Sequence, residues 1–459
     1  MTHSFNRTIL REYDIRGIVG DTLNEADAYA LGRTYAAIAT DEGAKRIAVG
    51  RDGRTHSGML EMALIRGLNE GGIDVIQVGM GPSPMLYFAT YYLDVDGGIQ
   101  VTGSHNPSDY NGFKMLLKSR SVFGEEIQGI GERARLGRWS DGKGGVEEVD
   151  VRAAYVDRLL EGFSGNPFRI GWDAGNGAAG PILDMLVSRL PGQHFTLYTD
   201  VDGTFPNHHP DPTVEKNLAD LKELVAREQC DFGIAFDGDG DRIGAVDGKG
   251  RVVWGDQLLA ILAEAVLREE PGSTIIADVK ASQVLFDRVA ELGGNPLMWK
   301  TGHSLIKSKM KETGAPLAGE MSGHIFFKHR WYGFDDALYA AVRLIEAVSQ
   351  SGKSLTELMD AMPQTSSTPE LRFQVDESRK FAIIEEVRDR LSADGAKVDA
   401  TDGVRVSTGD GWWLLRASNT QDVLVARAEA AEQAGLERLV GQIDEQLAKS
   451  GVERTEAAH

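Results

Sequence analysis

Short apolar runs alternate with stretches of helical spacing along the first three quarters of the chain. In the first third, residues 47–50, 74–78 and 98–101 are runs typical of buried strands. Between the first two of them, the apolar spacing over 58–69 predicts an amphipathic helix. This order of strands and helices predicts an α/β unit in which helices cover a sheet.

The same pattern begins again twice, after a glycine-rich and charged stretch over 141–150 that predicts a boundary. In the second unit, strands are predicted over 168–172, 195–198, 232–236 and 243–246, and helices over 181–189 and 218–227. In the third unit, strands are predicted over 274–277, 296–299 and 316–318, and helices over 256–267 and 336–349.

The remainder of the chain has strands at closer spacing. They are predicted over 371–375, 404–406, 412–416 and 423–427, with helices over 381–391 and 431–447. We therefore predict three related α/β domains with mixed, βαβ-rich sheets, over 1–149, 150–251 and 252–367. An α+β domain is predicted over 368–459.

The amino-acid composition limits the kinds of partner that the protein can have. The chain of 459 residues has 49 Lys and Arg against 69 Asp and Glu, a formal net charge of −20. This charge argues against nucleic acid or an anionic membrane as the main partner. A small anionic substrate remains compatible with it, because a basic cleft can lie within an acidic protein.

Other features indicate a cytoplasmic protein. With the single cysteine Cys230 no intrachain disulfide can form, which fits a reducing compartment. The first residues lack the apolar segment of a secretory signal. The long uncharged stretch over 75–93 is interrupted by glycine and proline, so we expect no membrane-spanning helix there.

The segment Asp237-Gly238-Asp239-Gly240-Asp241-Arg242 is the strongest chemical signal. Three carboxylates at alternate positions, separated by glycines, can converge on one hard cation such as Mg²⁺. An EF-hand loop is excluded, since Arg242 occupies its glycine position and Gly248 its glutamate position. The adjacent arginine suggests an anion beside the metal.

The segment Thr102-Gly103-Ser104-His105-Asn106-Pro107 follows the strand predicted over 98–101. Loops after strand C-termini bind ligands in α/β folds, and Ser104 there has a possible proton partner in His105. The serine-hydrolase elbow requires glycine where Thr102 stands, so that class is not favoured. A local Ser-His hydrogen bond without catalysis is the alternative.

Two further polar loops follow predicted strands. Gly319-Glu320-Met321-Ser322-Gly323-His324 offers a carboxylate, a hydroxyl and an imidazole, which suit sugar hydroxyls. Arg416-Ala417-Ser418-Asn419-Thr420 offers a guanidinium, hydroxyls and an amide, which suit a phosphate. Taken singly, each is also compatible with an ordinary polar turn.

A competing interpretation rests on Gly175-Asn176-Gly177-Ala178-Ala179-Gly180. It matches the dinucleotide-binding fingerprint between a strand and a helix, with Asp200 20 residues beyond Gly180. That interpretation predicts an NAD-binding oxidoreductase. Asp173-Ala174 before the glycines and Pro181 after them depart from the pattern, and a tight structural turn is the alternative.

The four polar loops, in this order, resemble those of the α-D-phosphohexomutase family over nearly the whole chain. The segments Glu12-Tyr13-Asp14-Ile15-Arg16-Gly17 and Gly112-Phe113-Lys114 are also similar to that family. Gly-Glu-Met-Ser-Gly-His looks like the sugar-binding loop of its bacterial phosphomannomutase/phosphoglucomutase branch. The resemblance implies three α/β domains and a mobile α+β domain around a central cleft.

The resemblance also implies residue roles. Ser104 would be the phosphorylated residue, and Mg²⁺ would be held by Ser104, Asp237, Asp239 and Asp241. The catalytic group would further include Arg16, Lys114, His105 and Arg242. The sugar and its phosphate would contact Glu320, Ser322, His324, His303, Lys280, Arg416, Ser418, Asn419 and Thr420.

The implied activity is the reversible interconversion of hexose 1-phosphate and hexose 6-phosphate, of mannose or glucose, through a 1,6-bisphosphate. Glucose 1,6-bisphosphate would act as activator, and the protein would be a monomer or weak dimer. Phosphoglucosamine mutase and a catalytically silent sugar-phosphate binding protein remain alternatives. The family usually has Glu-Pro where Gln421-Asp422 stands here, which puts the turn geometry and the mobility of the last domain in question.

Overall fold

The computed structural model describes residues 2–419 and 421–453, which form four sheets in chain order, each with its own helices. The first unit contains β1 (Ile15–Ile18), β2 (Arg46–Arg51), β3 (Asp74–Met80), β4 (Gly97–Val101), β5 (Tyr110–Leu117), β6 (Arg120–Ser121) and β7 (Val146–Glu148), with α1 (Glu25–Asp41), α2 (Ser57–Glu70), α3 (Ser83–Tyr92) and α4 (Glu125–Arg135). Its strand order is β1-β5-β4-β2-β3-β7. Strand β2 is parallel to β3 and β4, whereas β5 is antiparallel to β4 and β1.

The second and third units repeat this mixed arrangement. The second contains α5 (Arg152–Leu159), β8 (Phe168–Asp173), α6 (Gly180–Val187), β9 (Gly192–Leu197), α7 (Ala219–Arg227), β10 (Phe232–Phe236), β11 (Ile243–Asp247) and β12 (Val252–Val253), in strand order β12-β11-β10-β8-β9. The third contains α8 (Gly255–Glu269), β13 (Thr274–Asp278), α9 (Gln283–Glu291), β14 (Asn295–Trp299), α10 (His303–Thr313), β15 (Leu317–Gly319), β16 (Ile325–Phe327), β17 (Phe334–Asp335), α11 (Ala337–Ser351) and α12 (Leu355–Asp360), in strand order β14-β13-β15-β16-β17.

The fourth unit is an antiparallel sheet with two helices. It contains β18 (Ser366–Ser367), β19 (Leu371–Gln374), α13 (Lys380–Ala393), β20 (Lys397–Asp399), β21 (Val404–Ser407), β22 (Gly411–Ala417), β23 (Val423–Ala430) and α14 (Gln433–Lys449). Its strand order is β18-β23-β22-β21-β20, and β19 also pairs with β23. The predicted fold of three α/β units and a C-terminal α+β unit is therefore confirmed.

Several elements were not predicted, among them α1, α3, α4, α9 and α10 and strands β1 and β5. Helices α1 and α3 are buried on most sides, so their sequences lack the polar face on which a periodicity argument depends. Strand β5 is buried along almost its whole length and lacks the alternation of a half-exposed strand.

Three large apolar clusters organise the four units, and one of them lies within the first unit around Leu31 and Phe113. The first three units share one continuous apolar cluster, in which Leu86 of α3, Trp172 of β8 and Leu338 of α11 all participate. The fourth unit has a separate cluster around Trp413 and Leu439. The first three units are therefore joined by apolar packing, whereas the fourth packs mainly upon itself.

Among the described residues, no helix combines the length and the apolar character that crossing a lipid bilayer requires. The uncharged stretch over 75–93 divides instead into part of β3 and the short helix α3, separated by glycine and proline.

Close packing between α1 and α2 generates a stability prediction. A Cβ atom on Gly32 would clash with the carbonyl oxygen of Leu64 and would lie 3.0 Å from the Cα of Gly67. We expect Gly32→Ala to separate the two helices and destabilise the protein by about 1–3 kcal/mol. Thermal or urea unfolding measures this change.

Gly129→Ala in α4 is the matched control, because no atom lies within 4 Å of a Cβ built there. The control should be neutral or stabilise by about 0.5–1 kcal/mol through helix propensity. Equal stability changes in the two variants would show that the helix contact does not restrict residue 32.

Candidate active site

One cleft brings together the four predicted loops. Its volume is about 860 Å³, and each unit contributes a loop at the end of a strand: β4, β10, β15 or β22. The predicted residues that line it are Arg16, Ser104, His105, Lys114, Arg242, Lys280, His303, Glu320, Ser322, His324, Arg416, Ser418 and Asn419. The three loop aspartates are fully buried beside it. Thr420, the remaining predicted residue, lies outside the described residues.

Ser104 lies at the tip of the first loop in a left-handed conformation, with a φ of 49°. Its Oγ lies 3.1 Å from Nδ1 of His105 and donates a hydrogen bond of 3.3 Å to Oδ2 of Asp237. A Cβ on Gly238 would lie only 2.5 Å from the carbonyl oxygen of Ser104. Glycine at position 238 therefore allows the serine loop to lie directly against the aspartate loop.

The side chain of Arg54 holds the serine loop in place. Arg54 is not among the site residues predicted from the sequence. Its guanidinium is buried and donates hydrogen bonds to the carbonyl oxygens of Ser104 (2.7 Å), Asn106 (2.6 Å), Pro107 (2.5 Å) and Tyr110 (3.0 Å). Four carbonyls of one loop are thus fixed by one planar side chain, a role that lysine cannot reproduce.

Asp52 completes this support. Its Oδ2 accepts hydrogen bonds from Oγ1 of Thr102 (2.8 Å) and the amide of Gly103 (3.0 Å), and forms an ion pair with Nε of Arg54 (3.2 Å). Arg51-Asp52-Gly53-Arg54 begins at the end of strand β2. Polar residues directly after a predicted strand indicated the other loops. This segment carries the same signal, so the sequence contains the information needed to predict it.

The aspartate loop joins β10 to β11, as the sequence predicted. Ligand oxygens of Asp237, Asp239 and Asp241 lie within 4.8 Å of one another. Oδ1 of Asp237 accepts the amides of Asp241 (3.0 Å) and Arg242 (3.1 Å). Burial and the two neighbouring carboxylates raise the pKa of Asp237 well above its usual range.

Lys114 of β5 reaches into this group of carboxylates. Its Nζ donates to Oδ2 of Asp239 (2.7 Å) and to Oδ2 of Asp241. Burial alone would lower the pKa of Lys114, but the carboxylates of Asp239 and Asp241 hold it well above its usual value. Lys114 therefore remains a charged donor between the two aspartates.

The remaining carboxylate oxygens fit a metal ion. Oδ1 of Asp239 is buried and accepts no hydrogen bond within the described part of the chain, whereas Oδ1 of Asp241 has an ion pair with Nε2 of His324 at 3.4 Å. Such oxygens are costly to bury unless a cation satisfies them, and all donors here are the hard oxygens that divalent cations prefer. The loop is thus a group of acidic residues that could bind a metal ion.

His324 links the aspartate loop to the sugar-binding candidate loop. Its Nε2 lies 3.4 Å from Oδ1 of Asp241, and its Nδ1 lies 3.0 Å from Oε2 of Glu320. Burial and Arg242 lower the pKa of His324, but Asp241 and Glu320 raise it to a net value of about 9. The two carboxylates therefore favour the protonated form of the imidazole.

Two other histidines of the cleft, His105 and His303, have lowered pKa values. Burial, with Arg242 and Arg16 nearby, lowers the pKa of His105 well below its usual value. Burial, with Lys307 and Lys114 nearby, also lowers the pKa of His303 well below its usual value. The ring of His303 stacks on that of His324 at a centroid distance of 5.7 Å. Burial and the nearby cations therefore favour the neutral form of both imidazoles.

Lys280 and Glu370 form a charged pair where the third and fourth units meet. Nζ of Lys280 lies 3.3 Å from Oε2 of Glu370 and 3.8 Å from Oδ2 of Asp278. Lys280, with Arg372 nearby, lowers the pKa of Glu370 to about 2. Lys280 is therefore paired at the edge of the cleft.

The far end of the cleft contains the phosphate-binding candidates. Arg416 is buried, and its Nε donates to Oδ2 of Asp402 at 2.9 Å. Asn419 donates to the hydroxyl of Tyr13 at 2.6 Å, and that hydroxyl donates to the carbonyl of Thr301 at 2.8 Å. Tyr13 thus connects the first, third and fourth units across the cleft.

The Gln421-Asp422 pair joins this loop to the rest of the fourth unit. Oε1 of Gln421 accepts a hydrogen bond of 2.6 Å from Arg372, and the carbonyl of Asp422 accepts one from the amide of Val375 at 3.1 Å. Arg372 lines the cleft as well. This dipeptide therefore connects the loop to β19 and to the residue after it.

The glycine-rich turn over 175–180 has a structural explanation. A Cβ on Gly177 would lie 2.9 Å from the carbonyl of Gly238, and one on Gly180 would clash with the carbonyl of Thr199. The amide of Ala178 donates to the carbonyl of Gly238 at 3.0 Å. These glycines pack against backbone behind the aspartate loop, which accounts for them without a dinucleotide.

The sequence matches four family domains that together cover most of the chain. They are described as phosphoglucomutase/phosphomannomutase alpha/beta/alpha domain I over 7–136, domain II over 153–250, domain III over 254–366, and the C-terminal domain over 370–446. The chain belongs to the phosphoglucomutase/phosphomannomutase family. The predicted membership of the α-D-phosphohexomutase family is confirmed.

Individual members of this family are similar over their full length. A phosphomannomutase/phosphoglucomutase of Pseudomonas aeruginosa is 46% identical over 433 residues, covering 94% of both chains. A phosphoglucomutase of Neisseria gonorrhoeae is 45% identical over 441 residues, covering 95% of this chain and 96% of the relative. The crystal structure of a phosphoglucomutase/phosphomannomutase family protein of Burkholderia thailandensis matches with a TM-score of 0.92 and 42% identity over 99% of both chains.

The contacts of Arg54 generate a prediction about this family member. We expect Arg54→Lys to free the serine loop, because one ammonium cannot satisfy four carbonyls. Loss of even about 1.4 kcal/mol would accelerate exchange of the Gly103 and Ser104 amides about tenfold. Hydrogen–deuterium exchange with mass spectrometry measures this.

Arg51→Lys is the control, because Arg51 pairs with Glu61 (Nε to Oε2, 3.1 Å) and donates to the carbonyl of Asp52 (3.3 Å) but to no carbonyl of the serine loop. Hydrogen–deuterium exchange of the serine-loop amides in Arg51→Lys should match that in the unchanged protein. Unaltered exchange in Arg54→Lys would show that the loop holds its conformation without the guanidinium.

Proposed function

We propose that the protein is a phosphohexomutase that interconverts the 1-phosphate and the 6-phosphate of mannose or glucose. One observation carries this proposal: Oγ of Ser104 lies 3.3 Å from the buried aspartate loop and faces a cleft whose other end holds Arg416. A phosphoryl carrier at one end and an anion site at the other suit a substrate with phosphate at either end. The named relatives support the same activity.

In the proposed reaction, Ser104 carries a phosphoryl group on Oγ. The free hydroxyl of the bound hexose phosphate attacks phosphorus, the bond from phosphorus to Oγ breaks, and a hexose 1,6-bisphosphate forms. The sugar hydroxyl loses its proton in this step and Oγ of Ser104 gains one, and His105, whose Nδ1 lies 3.1 Å from Oγ, is placed to exchange a proton with Oγ. Lys114 and Arg242 remain charged and stabilise the transferring group.

The proposed metal is Mg²⁺, held by Asp237, Asp239 and Asp241 together with the group on Ser104. When bound, it would offset the negative charge that develops during phosphoryl transfer. The buried Oδ1 of Asp239, which accepts no hydrogen bond from the described residues, supports this assignment.

The second half-reaction requires the bisphosphate to reverse its orientation, so that the other phosphate faces Ser104. Arg416, Ser418, Asn419 and Thr420 would hold whichever phosphate is not reacting. Separation of the fourth unit would open the cleft for this step, and its independent core supports such a movement. Breaking the hydrogen bond from Asn419 to Tyr13 would accompany the opening.

The remaining cleft residues would read the sugar. Glu320, Ser322 and His324 offer both acceptors and donors to its hydroxyls, and Arg16, His303 and Lys280 border the same space. Glucose 1,6-bisphosphate would act as activator by restoring the phosphate on Ser104. We further propose a cytoplasmic protein that acts on small phosphosugars as a monomer or weak dimer.

Replacement of the carrier tests the function directly. With glucose 1-phosphate or mannose 1-phosphate, Mg²⁺ and a trace of glucose 1,6-bisphosphate, the protein should form the 6-phosphate in a coupled assay. Ser104→Ala should abolish turnover because no phosphoenzyme can form. Ser108→Ala, in the exposed part of the same loop, should retain it. Turnover by Ser104→Ala would exclude Ser104 as the carrier.

The metal assignment has an independent test by calorimetry. Asp239→Asn should weaken Mg²⁺ or Mn²⁺ binding at least about tenfold, because an amide replaces one charged ligand. Asp109→Asn alters an exposed carboxylate of the serine loop and should leave the affinity unchanged. Equal affinities in the two variants would remove Asp239 from the metal site.

A further inference from the structure

A second cavity lies between the first and third units. Its volume is about 260 Å³, and we call it the seam pocket. Its lining includes four cationic and two aromatic side chains, those of Arg120, Lys307, Lys311, Lys328, Tyr91 and Tyr332. They come from α3, β6, α10 and the segment between β16 and β17, so the pocket exists only where the two units meet.

The seam pocket concentrates positive charge in a protein whose net charge is −20. Arg120 is paired with Glu42 (2.6 Å) and Glu126 (2.9 Å). Lys311 and Lys328, by contrast, are exposed at the mouth of the pocket and form no ion pair with any residue in 2–419 or 421–453. Two ammonium groups at one cavity, without a carboxylate partner, favour an anionic ligand.

The pocket also has an aromatic wall. The rings of Tyr91 and Tyr332 stack at 4.7 Å with an interplanar angle of 27°. Tyr91 is 43% exposed, although it is a large ring in an otherwise well-packed aromatic cluster. A flat ring on a ligand can continue this stack, and the lysines can neutralise a phosphate attached to it.

Lys307 connects the seam pocket with the cleft. Its Nζ lies 3.0 Å from Oδ1 of Asp335 and 4.9 Å from the centre of the Tyr87 ring. Oδ2 of the same aspartate lies 3.8 Å from Nδ1 of His303, which lines the cleft. His303, Lys307 and Lys311 stand at intervals of four residues on α10, so one helix face joins the two cavities.

We propose that the seam pocket binds a small phosphorylated ligand that carries a flat ring, with the ring on Tyr91 and the phosphate at Lys311 and Lys328. The ligand's charge competes with Asp335 for Lys307, so binding alters the surroundings of His303 in the cleft. The site is separate from the cleft and its loops.

Lysine footprinting locates the binding. We would titrate the full chain with adenosine 5′-monophosphate and quantify acetylation of each lysine by mass spectrometry. Lys311 and Lys328 should be protected with a saturable Kd below about 1 mM. The exposed lysines Lys353 and Lys397 serve as internal controls and should not be protected. Protection that is absent, equal at the controls, or confined to Lys114 and Lys280 of the cleft would overturn the proposal.

Substitutions and a second probe distinguish recognition of the ligand's phosphate from recognition of its flat ring. The double variant Lys311→Ala/Lys328→Ala should raise the Kd at least about tenfold in calorimetry, whereas Lys353→Ala/Lys397→Ala should not change it. Tyr91→Ala should weaken the nucleotide but not inorganic pyrophosphate. An equal loss for both probes would overturn the role of the ring.

The link to the cleft rests on the proposed mutase function. The nucleotide should change KM or kcat for glucose 1-phosphate in the unaltered protein and not in Lys311→Ala/Lys328→Ala. Protected lysines with unchanged kinetics would overturn the link through Lys307. Protected lysines in a protein without mutase activity would overturn the proposed function and leave the seam pocket standing.

Discussion

Asp237, Asp239 and Asp241 are all fully buried within one loop, where three carboxylates repel one another unless cations lie among them. The rest of the site follows from this constraint. Lys114 approaches from the first unit and His324 from the third, while the loop itself belongs to the second. The charge balance of the site therefore requires the first three units to dock before the site exists.

This requirement agrees with the distribution of apolar packing. One continuous cluster joins the first three units, so the charged residues are held at fixed distances by a shared core. The fourth unit brings Arg416 to the cleft, yet its core is separate. A rigid three-unit body with a more independent fourth unit suits a reaction in which an intermediate must reverse within the cleft.

Backbone proximity, not only side-chain chemistry, positions the reactive serine. Gly238 allows the aspartate loop to approach the carbonyl of Ser104, and Arg54 fixes four carbonyls of the serine loop from the opposite side. Because Ser104 has a positive φ, the loop needs such support to keep its conformation. The residues behind the site are thus as much a part of it as those that line the cleft.

By itself, the sequence determined the four loops and the units that carry them. Polar residues after apolar strands are local signals, and the alternation of Asp and Gly over 237–241 is visible without a structure. The sequence also predicted each unit as α/β or α+β from periodicity alone, although it missed the helices α1 and α3, which are buried on most sides.

Tertiary structure alone decided which residues from distant loops meet. Arg54, Asp52 and Tyr13 act through hydrogen bonds to residues that lie tens or hundreds of positions away, and no local pattern encodes such partners. The raised pKa of His324 likewise depends on carboxylates from two different units. Burial and distance set these properties, and both exist only once the chain has folded.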